Sequence, residues 1–154
     1  MGVNYARLAF VHRLVTNFYE AGLHDTARKF LERHNGRQYL EEVEEQLRNE
    51  NDSAAENQLA NLWFVWWRIT SDVSARNKAE SIWFTMHEGE FGVHAAHMLA
   101  YLALMDQSTS PDIVQARIAR LNRAKTQTSD VERINRLAEL VRRLEQQFDR
   151  RCQK

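Results

Sequence analysis

One proline stands in 154 residues, at Pro111, and glycine occurs only five times. These are the residues that interrupt regular backbone most strongly. The stretches between them are rich in Leu, Ala, Glu, Arg and Gln, all good helix formers. No stretch alternates apolar and polar residues as a half-buried strand does. The expectation is an all-α fold of about seven or eight helices. They should form stacked hairpins in a right-handed array, with an amphipathic helix at the C-terminal end.

The apolar spacing places the elements. Leu8, Val11, Val15 and Phe18 mark one face of a helix over 4–21, which Gly22 closes because glycine accepts a left-handed conformation. Asp25 is expected to cap the next helix, with Ala27, Phe30 and Leu31 turned inward. "NGR" at 35–37 breaks the chain, and an acidic helix covers 39–47. Helices are then expected over 54–70, 75–87 and 93–105, with "EGEFG" as a turn before the last of these. Ser110 and Pro111 open another helix as N-cap and first helical residue. Ser129 and Glu132 have the spacing of a capping box for the final one. The expected organisation is a helical core domain over 1–110 and a basic C-terminal hairpin over 111–154.

The stretch "LWFVWWRIT" carries three of the four tryptophans. On a helix, Leu59, Leu62, Trp63, Trp66 and Ile69 share one face, while Phe64 and Trp67 lie on another. Apolar residues on two faces imply a helix surrounded by others. The run is far shorter than the roughly 20 residues of a spanning helix. It also lacks the flanking cations of an interfacial helix, and acidic neighbours argue against a base-stacking platform. Phe64 and Trp67 are the aromatic side chains best placed to reach a partner. In the last helix, Ile134, Leu137, Val141, Leu144 and Phe148 repeat at steps of three and four. Such a stripe either folds back on the domain or docks on another chain, so Val141, Leu144 and Phe148 are candidate contacts, including for a homodimer.

Net charge is zero but unevenly spread. From Pro111 onward there are 11 Lys and Arg against 6 Asp and Glu; before it there are 10 against 15. This is not the footprint of a dedicated nucleic-acid binder. Arg117, Arg120, Arg123, Lys125, Arg142 and Arg143 could line phosphates, but alternation with glutamates favours a solvated face. His94 and His97 sit three apart, with Glu90 four before His94, yet a zinc site ordinarily draws on three or four ligands. The single cysteine, Cys152, excludes an internal disulfide and points to an intracellular protein. In its basic tail it lacks the pocket and base that a nucleophilic thiol needs. With no phosphate-binding loop and no paired-carboxylate motif, neither an enzyme nor a cofactor or metal is expected.

Two short patterns point to an adaptor. Leu14, Phe18, Gly22, Ala27 and Leu31 resemble the packing positions of a tetratricopeptide repeat, and "GLHDTARKFLER" is similar to a LisH dimerisation motif. A longer resemblance covers roughly residues 5–105. Phe10–Val11–His12, the Ala27 and Phe30 hairpin, Tyr39 before an acidic helix, and Glu56, Asn57, Leu59 and Ala60 leading into the aromatic helix are its carriers. Together they resemble the conserved N-terminal helical domain of the WD-repeat TAF subunit of TFIID and, in some species, SAGA. The resemblance implies a nuclear, non-catalytic scaffold that packs on histone-fold TAF partners.

Overall fold

The computed structural model describes residues 4–152. Among them are eight helices and no strand: α1 (Tyr5–Glu20), α2 (His24–Arg33), α3 (Gly36–Leu47), α4 (Ser53–Thr70), α5 (Val73–Thr85), α6 (Gly89–Met105), α7 (Pro111–Thr126) and α8 (Val131–Cys152). The all-α expectation and the helix number hold. The chain divides into two compact units after Ile82, inside α5.

In the first unit, α4 packs against α1, α2 and α3. Leu59, Leu62, Trp63, Phe64, Val65 and Trp66 are all buried, so the tryptophan helix has apolar contacts on more than one face. The Asp52 side chain caps it, accepting from the Ala55 N–H at 3.0 Å. α1 ends in a Schellman closure: the Leu23 N–H donates to the Phe18 carbonyl at 2.8 Å and the Gly22 N–H to Tyr19 at 3.0 Å, with Gly22 at φ +77°. This tight closure shortens the link, and α2 begins at His24. Asp25 therefore lies inside the first turn of α2 instead of capping it, and pairs with Arg28 at 3.1 Å. α3 starts at Gly36, three residues before the expected Tyr39, because Asn35 makes the break alone in the left-handed conformation.

The second unit is built on α6, α7 and α8, each packed on the other two. Its core joins Val93, Ala96 and Ala100 of α6, Val114 and Leu121 of α7, and Leu137, Val141 and Leu144 of α8. "EGEFG" is not a turn: α6 begins at Gly89, which takes φ +62°, and Glu90 to Gly92 already belong to the helix. Ser110 caps α7, with Pro111 as its first residue. α8 starts one residue later than a capping box at Ser129 requires. Asp130 accepts from the Arg133 N–H at 3.2 Å, and Glu132 is left to pair with Arg136. Farther along, Glu139 pairs with Arg142 three residues on.

Candidate functional site

Of the residues singled out for partner contact, most are used inside the chain. Phe64 is 8% exposed and lies edge-on to Trp67, with ring centroids 5.8 Å apart. Val141 and Leu144 are buried in the α6–α7–α8 core, and Phe148 packs against it half-buried. The stripe on α8 is thus covered by α6 and α7: of the two readings, the one in which it folds back on its own chain holds, and Val141 and Leu144 are not docking contacts. Trp67, like Phe148, keeps partial access. It is half-buried, with the Arg68 and Arg76 guanidinium carbons each 5.6 Å from its ring centroid, a cation–π arrangement on a partly wet aromatic.

The row of arginines on α7 is likewise spent on structure. Arg120 donates to the carbonyls of Phe84 and Trp83, both at 2.9 Å, and to that of Met86. A cation there satisfies acceptors at the C-terminal end of α5 and meets the negative end of its dipole. Burial, then Arg117 and Arg123, lowers the Arg120 pKa from its ordinary value. Arg117 is 8% exposed, its guanidinium 5.8 Å from the centre of the Phe84 ring. The suggested phosphate-lining row therefore loses its first two members to internal contacts.

His94 and His97 do share one cleft, of about 360 Å³, with Asp130, Arg133 and Arg136 from the start of α8. The His94 ring stands edge-on to Trp83, centroids 6.2 Å apart. Burial holds His97 below its ordinary pKa, and the neighbouring Arg133 and Arg136 push it the same way. Glu90 is exposed and does not line the cleft. Among the described residues no group of three or more His, Cys, Asp or Glu side chains is placed to hold a metal ion. Cys152 is exposed.

The surface feature that sequence reading missed lies in the first unit. A concavity of about 400 Å³ is walled by Phe10 and Val11 of α1, Phe30 and Leu31 of α2, and Tyr39 of α3. It is there because α2 and α3 approach closely at Gly36. A Cβ at that position would lie 2.7 Å from the Leu31 carbonyl oxygen, which only glycine avoids. A second concavity, of about 630 Å³, opens between Phe18 and the outer side of α2. Phe30 and His34 line both. Their rings are 4.6 Å apart, and Phe18 meets Phe30 edge-on at 6.3 Å. The result is one groove of two lobes, divided by the Phe30–His34 pair.

The groove is apolar at its floor and basic at its rim. Phe10 is 63% exposed, a large aromatic left facing water. Arg7 lies over the Tyr39 ring at 4.3 Å, and Lys29 and Arg33 line the second lobe. No acidic side chain lines either lobe. The Tyr39 hydroxyl is buried with no hydrogen-bond partner among the described residues, and burial raises its pKa while Arg7 opposes the shift. One signal was available in the sequence: Phe10 falls off the Leu8–Val11–Val15 stripe, so a helix buried along that stripe must expose it. What the arrangement offers is apolar adhesion and positive charge. Compared with protein families, curated proteins and solved structures, the chain matches none.

Proposed function

We propose that this chain is a non-catalytic scaffold for protein–protein interaction, acting in the nucleus as the helical domain of the TFIID and SAGA TAF subunit does. The observation that carries the scaffold reading is the two-lobed groove, with Phe10 exposed beside an apolar cavity and no catalytic constellation in it. Exposed apolar concavities rimmed by polar residues are one mark of protein-binding surfaces. The assignment to a transcription complex rests on the residue pattern of 5–105, which runs from α1 into α6.

The tagged chain, used to capture partners from nuclear extract, should recover histone-fold subunits by mass spectrometry. Their absence beside unrelated partners would remove the transcription-complex assignment. Recovery that persists when the groove is altered would instead leave the assignment standing and move the interface elsewhere.

A further inference from the structure

Granted that reading, the groove itself says what it takes. We infer that the α1–α2–α3 groove receives an acidic amphipathic segment of a partner protein, with one large apolar side chain in each lobe and carboxylates against the rim.

Two features point to this occupant. The first is shape. Two apolar lobes, of about 400 and 630 Å³, lie on either side of one aromatic divider. A helix laid along a groove supplies spaced apolar anchors in that manner. The second is charge. The first 110 residues carry 15 acids against 10 bases. Even so, every permanently charged side chain lining the groove is a cation: Arg7, Lys29 and Arg33. Elsewhere in this unit several cations meet acids of the same chain, although Arg68 donates to the Tyr19 hydroxyl instead. Arg28 pairs with Asp25, Arg37 with Glu41 and Asp72, and Lys78 with Glu44. Among the described residues Lys29 and Arg33 enter no ion pair of this kind, and Glu32, the acid beside them on α2, lines neither lobe. A positive rim attracts negative partners and disfavours positive ones. The same rim argues against a basic segment, which would gain the apolar contacts and pay in repulsion.

Fluorescence anisotropy on the full chain tests it with three labelled peptides of one helical register. One has leucine and phenylalanine anchors with glutamates on the flanks. In the second the glutamates become lysines. In the third the anchors become alanines. The acidic, anchored peptide should bind best, with each of the others weaker by about tenfold or more. Phe10→Glu, a change at an exposed position, should weaken it by about tenfold. Lys29→Glu with Arg33→Glu should reverse the charge preference, so that the lysine peptide now binds better. Circular dichroism and melting confirm that both variants remain folded. Equal binding of the acidic and basic peptides, binding indifferent to the two groove variants, or no binding overturns the inference. So does a dimer of the wild-type chain that Phe10→Glu converts to monomer, because the occupant is then a second copy. Capture of histone-fold subunits by a Phe10→Glu chain separates the two proposals: the scaffold reading survives and this one falls.

Discussion

At the scale of single residues, the tryptophan helix shows two ways of burying an indole. Trp66 donates its ring N–H to Asp72 at 3.3 Å. The same carboxylate is held by Arg37 and accepts from the Ser74 N–H at 3.1 Å, which fixes the turn into α5. Trp63 is fully buried, and its ring nitrogen has no hydrogen-bond partner among the described residues. Either ring cut to alanine should cost about 3–5 kcal/mol, the usual loss for a large aromatic in a core. The two differ in coupling. A double-mutant cycle of Asp72→Ala with Trp66→Phe should show an interaction of about 1–2 kcal/mol, because each change breaks the same hydrogen bond. The cycle of Asp72→Ala with Trp63→Phe should show a smaller coupling, below about 0.5 kcal/mol and carried only through Arg37, which pairs with Asp72 and lies 5.9 Å from the Trp63 ring centroid. Denaturant melts of the single and double variants give both numbers. Equal coupling at the two positions would mean that the Trp66–Asp72 bond contributes nothing of its own.

At the scale of elements, the start of α8 separates two readings of "TSDVE". Sequence spacing favours Ser129 with Glu132, whereas the fold puts Asp130 at the cap and spends Glu132 on Arg136. Asp130→Ala should therefore cost about 1 kcal/mol, and Ser129→Ala should stay within about 0.5 kcal/mol of the parent. Urea midpoints decide it, and a larger loss at Ser129 would restore the capping box. The case also shows what the sequence could carry. That the chain is helical was legible, since one proline and five glycines leave long uninterrupted runs. Boundaries slipped by one to a few residues where hydrogen bonds between neighbouring turns set them, as in the Schellman closure at Gly22. The α8 stripe was visible as a period, but a period does not say whether the covering helix comes from the same chain. Here α6 and α7 cover it. Of the groove only the exposure of Phe10 was legible, because three helices and the close approach at Gly36 together create the rest.

At the scale of the whole molecule, two histidines give both units the same response to acid. His12 of α1 lies in the first unit and His97 of α6 in the second. Burial lowers the pKa of each; Glu20 partly opposes this at His12, and Arg133 and Arg136 add to it at His97. The sign follows from linkage. A folded-state pKa below the unfolded value means that the unfolded chain binds more protons between the two. The contribution is therefore fully present above the unfolded value of about 6.5, and it is lost as pH falls toward the folded pKa. Glu56 acts the other way, because burial and then Asp52 raise its pKa, so it gains stability as pH falls through the carboxylate range. The clean window for the histidines is thus about pH 7 down to about pH 5. The urea midpoint should drop across that window in the parent chain. Each of His12→Asn and His97→Asn should remove part of the drop, and the double variant most of it. Because the Ile82–Trp83 boundary lies between the two imidazoles, neither single change can abolish it. A midpoint that stays flat over this range, or a drop untouched by the double variant, would mean that neither imidazole is held neutral by the fold.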